Sequence, residues 1–316
     1  MSVELIGYGA FFLTIALTYA IMCLGLNVQW GQTGLFNVGV AGFVAIGAYV
    51  SAILTTPDSP GHLGGFGLPI VIGWLGGTVA AAVVSFLIGA LTIRLRADYL
   101  AIATFGAAVV VQLCALNLEP VTGGPFGIGF IPRPFSNLAG EPLAFSLLNL
   151  GVLVLVVAGV YLALERLVRS PWGRVLRAIR EDETAALALG KNAVKFRLQA
   201  FAIGGGIMGL AGAVHAHFIG FVAPDNYVPI LTFQVWAMLI AGGSGNNRGA
   251  LIGALLVWTI WSASGIAVTK LVPPSHAAQG AAIQVILIGL LLILVLLYRP
   301  RGLIGEAAVV SRHADG

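Results

Sequence analysis

The side chains of this protein that could recognise a small polar solute carry no charge. Asn27, Gln29, Gln32, Thr33 and Asn37 lie close together, and the stretch WGQTGLFNVG from Trp30 to Gly39 sets three glycines among them. Thr104, Gln112, Asn117, Gln234 and Gln284 sit singly within apolar runs. An amide left unpaired in hydrocarbon costs several kcal/mol, so each must face another helix or a wet path. For the isolated residues both readings stand, as glue between helices or as lining. For the cluster, the interleaved glycines point to an unwound, water-accessible segment, the device by which membrane transporters hold a substrate's polar groups. Asn27, Gln29, Gln32, Thr33 and Asn37, with Thr104 and Gln234, are therefore the candidates for a translocation path.

Other chemistries find little support. No Asp, Glu, Lys or Arg falls in the middle of an apolar run, which disfavours a proton relay. An intramembrane enzyme would need a convergent acid–base or metal constellation, and none is visible. His215 and His217 fall near the end of a run and read as an interfacial, hydrogen-bonded pair rather than a relay. Cys23 and Cys114 lack any spacing motif and read as small buried hydrophobes. GGSGNNRG, from Gly242 to Gly249, is glycine-rich but has no Lys followed by Ser or Thr, so it reads as a tight turn and not a phosphate loop. We expect no catalytic residue, metal or cofactor in this chain.

One segment concentrates charge. ERLVRSPWGRVLRAIREDETAALALGKNAVKFR runs from Glu165 to Arg197. Pro171 suits a helix start, Leu176, Ile179, Glu183, Ala186 and Leu187 recur at spacings of three and four, and Gly190 supplies a stop. The pattern predicts one short amphipathic helix of about four turns within 171–190, with Arg174, Arg177 and Arg180 along one flank. A solvated loop and a lipid-surface helix are alternatives, but Glu181, Asp182 and Glu183 would repel an anionic surface. A docking helix for a cytoplasmic partner fits both signs of charge.

These residues are positioned by an apolar chain. Of its 316 residues 59% are hydrophobic and 9% charged, against about 25% charged in a soluble domain. Nine candidate spans follow, near Leu5–Leu26, Leu35–Leu54, Leu68–Leu91, Tyr99–Leu116, Leu143–Leu164, Phe196–Phe218, Val228–Ala241, Ala250–Val268 and Ala281–Leu297. The fold class is all-α, a polytopic transmembrane bundle of about nine spans (eight to ten), the seventh being short enough to be broken or re-entrant. Fourteen of the sixteen Lys and Arg fall on alternate connections. The positive-inside rule then places the N-terminus outside and the C-terminus in the cytoplasm. The net charge of +4 is thus topological and does not signal nucleic acid. Residues 1–305 read as a single transmembrane domain, and 306–316 as a disordered tail.

At Glu183, Ala185, Ala186 and Gly190 the charged segment resembles the cytoplasmic loop of ABC importer permeases. Its surroundings, with GLFNVGVAGFVAIGAYVSAIL (Gly34–Leu54), IRLRADYLAIATFG (Ile93–Gly106) and TGGPFGIGFIPRP (Thr122–Pro134), resemble the LivM-like branched-chain amino acid permease family from about Leu5 to Gly305. NVGVAG near Asn37 and Ala97-Asp98 depart from the commoner family pattern. The resemblance implies a permease subunit for branched-chain or other small neutral amino acids, set in lipid of a bacterial-type inner membrane. It implies a homologous second permease, two cytoplasmic ATPases carrying ATP and Mg, and a periplasmic solute-binding protein. It also assigns ATPase docking to Arg174, Arg177, Arg180, Glu183, Ala186, Leu187 and Gly190, and alternating access to the bundle. Urea or a short-chain amide as solute, or an ion-coupled carrier acting alone, are the alternatives.

Overall fold

A computed structural model describes residues 2–58, 61–138, 140–273, 276–299 and 301–306. Twelve α-helices appear among them: α1 Ser2–Gln29, α2 Val40–Thr55, α3 Ile70–Thr92, α4 Ala97–Asn117, α5 Glu119–Thr122, α6 Pro142–Arg169, α7 Pro171–Glu181, α8 Glu183–Ala188, α9 Ala193–Ile219, α10 Pro229–Gly242, α11 Asn247–Leu271 and α12 Ala277–Tyr298. Every expected span is helical. Six helices (α1 from Ile6, α3, α4, α6, α9 and α11) are long and apolar enough to cross a membrane. The described residues hold no strand, only an isolated bridge between Ile128 and Val222.

α1 and α9 are mostly buried inside the protein, whereas α3, α4, α6 and α11 leave most of their apolar length facing outward. The burial of α9 depends on small residues, which let helix backbones meet. A Cβ on Gly209 would lie 2.2 Å from the Ala81 Cβ, and one on Gly212 would lie 1.9 Å from the Val44 carbonyl oxygen.

The connections segregate to opposite ends, as the charge alternation requires. At one end Leu63 N donates to Pro120 O at 2.8 Å, Ile128 pairs with Val222, and Arg133 donates to Ile219 O. At the other, basic end, the residues after α1, the α7–α8 segment, the α10–α11 turn and residues 301–306 contact one another.

α2 has 16 residues, about 24 Å of helix and short of a 30 Å core. The chain before it supplies the missing length. α1 continues past the expected end at Leu26 to Gln29, then Trp30–Thr33 turn and 34–39 follow as an unwound stretch without regular secondary structure. This stretch climbs beside α10: Asn27 meets Gly245, the Asn37 carbonyl accepts from Trp236 Nε1 at 2.9 Å, and Ala41 N donates to Thr232 Oγ1 at 3.0 Å. The unwound backbone is thus enclosed by protein, the condition for its survival at membrane depth.

Three expectations need correction. Glu306 is not loose tail but part of the folded body, paired with Arg180 at 2.7 Å; positions 307–316 lie outside the described residues. His215 and His217 do not pair. His217 is buried, bonding Thr55 Oγ1 at 3.1 Å and accepting from Trp74 Nε1 at 3.2 Å, while His215 is half-buried. Cys114, expected buried, is exposed on α4.

Candidate coupling site

The cluster around Asn27 folds into a knot that joins the two glycine-rich breaks. Asn27 Nδ2 donates to Asn247 Oδ1 at 2.9 Å, and Asn27 Oδ1 accepts from Gly245 N at 2.8 Å. Gln32 Nε2 donates to Gly245 O at 3.0 Å. A Cβ on Gly31 would stand 2.1 Å from Asn27 Oδ1 and 2.4 Å from Gly245 N. Only glycine permits this approach.

A second set of bonds holds the unwound stretch. Gln29 Nε2 donates to the Phe201 carbonyl at 2.8 Å, and Gln29 Oε1 accepts from Asn37 Nδ2 at 2.6 Å. Thr33 Oγ1 donates to Gln29 O, and Thr104 Oγ1 accepts from Val38 N at 3.0 Å. Gln234 lies apart, accepting from the Tyr19 hydroxyl at 3.3 Å. The expectation of a water-accessible segment is not met within this chain: Asn27, Gln29, Asn37 and Thr104 are completely buried, Gln32 and Thr33 nearly so, and Gln234 is 8% exposed. The physical reason is local. Unwinding exposes main-chain groups at membrane depth, and these side chains satisfy them. Gln32 Oε1 is the exception, buried without a partner among the described residues. Beside the knot, Trp30, Phe36 and Trp236 form an aromatic triad with centroids 4.9–5.4 Å apart.

The charged segment is two helices rather than the single one expected. Asp182 adopts an extended conformation (φ −149°, ψ 100°), ends α7, and caps α8 by accepting from Ala185 N at 3.0 Å. An Asx side chain competes for nearby N–H groups and prefers a cap to a helix interior. Nor do the arginines share a flank. Arg174 is exposed, whereas Arg177 and Arg180 turn toward the bundle. Leu176 enters the main core, and Ile179 packs with Ala186 and Ala193. Glu183 pairs with Arg197 at 2.8 Å, fastening α8 to α9. Leu187 and Leu189 are left exposed at 52% and 77%, followed by Gly190 at φ +74°.

Arg180 links these parts. It donates to the Gly31 carbonyl and pairs with Glu306, whose own segment bonds the end of α10 through Leu303 N to Ala241 O and Ile304 N to Gly242 O, each 2.9 Å. Those carbonyls are acceptors that a helix end leaves open. Residues that sequence reasoning passed over complete the site: Asn247, Phe201, Trp236, Glu165 and Glu306. Asn246-Asn247 before an apolar run was a readable cap signal; the contact of a remote Glu306 had no local signature.

The family model for the branched-chain amino acid transport system permease component matches residues 9–296. The chain is 34% identical over 313 residues to the high-affinity branched-chain amino acid transport system permease protein LivM of Salmonella typhimurium, covering 92% of this chain and 68% of that protein. Against LivM of Escherichia coli the identity is 34% over 317 residues, with the same coverage of 92% and 68%. Against LivH of Escherichia coli, named as a permease protein of the same kind of system, it is 26% over 303 residues and 94% of both chains. No solved structure matches the chain. A nearly all-helical bundle with apolar spans, matched along almost its whole length, belongs to the family of branched-chain amino acid transport system permease components.

Proposed function

We propose that this chain is the membrane-spanning subunit of an ATP-driven importer of branched-chain or other small neutral amino acids, working by alternating access in an inner membrane. The N-terminus lies outside and the basic end in the cytoplasm, by the distribution of arginines. Its partners are a homologous second permease, two ATPase subunits that hold ATP and Mg, and a periplasmic solute-binding protein. Similarity to both LivM and LivH supports pairing with a related permease. The relatives' names supply the solute class.

The observation that carries the mechanism is Arg180. α7 and α8 form a protrusion whose outer face shows Leu187 and Leu189, apolar residues suited to a cleft in a partner. Its inner face reaches the Gly31 turn and the 301–306 strap through one side chain. Movement of the protrusion by an ATPase therefore acts on the junction of α1, the unwound stretch and α10. The knot of Asn27, Gln29, Gln32, Thr33, Asn37 and Thr104 serves as the joint about which the path opens, with Gln234 farther along α10. Co-purification tests the docking. Leu187→Asp with Leu189→Asp should insert in the membrane with the second permease yet lose the ATPases; undiminished ATPase recovery would sink this reading.

A further inference from the structure

At the basic end, α6, α7, α11 and residue 306 enclose a cavity of about 410 Å³, whose walls include Glu165, Arg169, Arg177, Asn247, Arg248 and Glu306. Its two carboxylates are already neutralised. Glu165 pairs with Arg169 at 2.6 Å and accepts from Asn247 Nδ2 at 3.1 Å, and Glu306 pairs with Arg180 at 2.7 Å. Arg177 and Arg248 differ: among the described residues neither makes a close ion pair, and only the charge of Glu165, itself paired with Arg169, reaches Arg248. Arg177 donates to the Val168 carbonyl at 3.3 Å and Arg248 Nε to the Tyr161 hydroxyl at 3.4 Å. Each guanidinium has further donors, and its planar fork matches the oxygens of a phosphate.

The surroundings are those of a lipid and not of a soluble anion alone. α6 and α11 both pack on α1 and expose Leu155, Leu162, Ile252 and Leu256 along their lengths. Unbalanced positive charge thus lies at the polar end of an apolar face. Basic pockets between membrane helices on the cytoplasmic side hold anionic head groups. We propose that this cavity binds the phosphodiester of an anionic phospholipid through Arg177 and Arg248, with the acyl chains lying on α6 and α11. Because α7 carries both Arg177 and Arg180, a bound head group also steadies the helix that reaches Gly31.

Native mass spectrometry of the intact transporter, titrated with phosphatidylglycerol in detergent, tests this. One lipid should bind tightly per copy of this chain. Arg177→Gln with Arg248→Gln should weaken it about thirtyfold, at roughly fivefold per arginine. Lys191→Gln, exposed at the same end but outside the cavity, should leave it unchanged. Should the double variant fail to fold, Arg248→Gln alone should show the fivefold loss. Phosphatidylcholine should not compete, and inorganic phosphate should displace the lipid only weakly. Equal binding by the double variant overturns the proposal. So does inorganic phosphate binding as tightly as the lipid, or a photo-cross-link from position 248 that captures a partner protein rather than lipid.

Discussion

The guanidinium of Arg180 donates a hydrogen bond to the main-chain carbonyl of Gly31. That contact connects a helix at the bundle surface to the point where α1 unwinds. Gly31 in turn sits so close to Gly245 that no side chain fits between them. A displacement of α7 therefore reaches two helix breaks through one residue, without passing along the long helices.

Glu306 holds the other branch of Arg180. The two side chains are 23% and 33% exposed, so Glu306→Gln should cost less than about 1 kcal/mol of stability. Transport should fall while the protein still inserts and binds its ATPases. Uptake in vesicles compared with a thermal melt separates the two effects; a large melting shift with unchanged uptake contradicts the assignment.

Gly31→Ala places a methyl against Asn27 Oδ1 and the Gly245 amide. Overpacking of this kind costs about 1–3 kcal/mol, and here it also pushes the two breaks apart. Gly106→Ala, where a Cβ meets nothing within 4 Å, should be neutral. Equal melting temperatures for the two variants would remove the close approach from the account.

Asn27→Ala leaves the Gly245 N–H without its acceptor and the Asn247 amide oxygen without its donor. Buried groups stranded in this way cost about 1–3 kcal/mol each. Hydrogen exchange at Gly245 should quicken in the variant, and unaltered protection there would show that Asn27 is not what holds the turn.

Asp182→Ala removes the cap of α8, worth about 1 kcal/mol. The loss should be confined to residues 183–190, seen as faster local exchange, with reduced ATPase recovery. An unbroken helix through 182 with full recovery would mean that the bend has no part in docking.

Much of the bundle was legible because hydrophobic length is a strong signal: every run read as a span is a helix. The short α2 begins later than its apolar run, since residues 35–39 are as apolar as the helix they precede and only the glycines and Asn37 mark them as unwound. Asn27 and its neighbours were recognisable as a unit by type and spacing. Their partners were not, because Asn247, Phe201 and Trp236 lie far along the chain and hydrogen bonds of that range leave no periodicity. The inward turn of Arg177 and Arg180, away from the flank they share with Arg174 by spacing, is hidden for a similar reason. On a helix at the bundle surface, spacing tells which residues share a side but not which side faces the body.

Replacing Arg180 with Gln and counting solute imported per ATP hydrolysed, in vesicles holding the complete transporter, examines the coupling most directly. The complex should assemble and hydrolyse ATP, while import per ATP falls about tenfold, within the usual range of a coupling free energy. An unaltered ratio would show that force enters the membrane by another route.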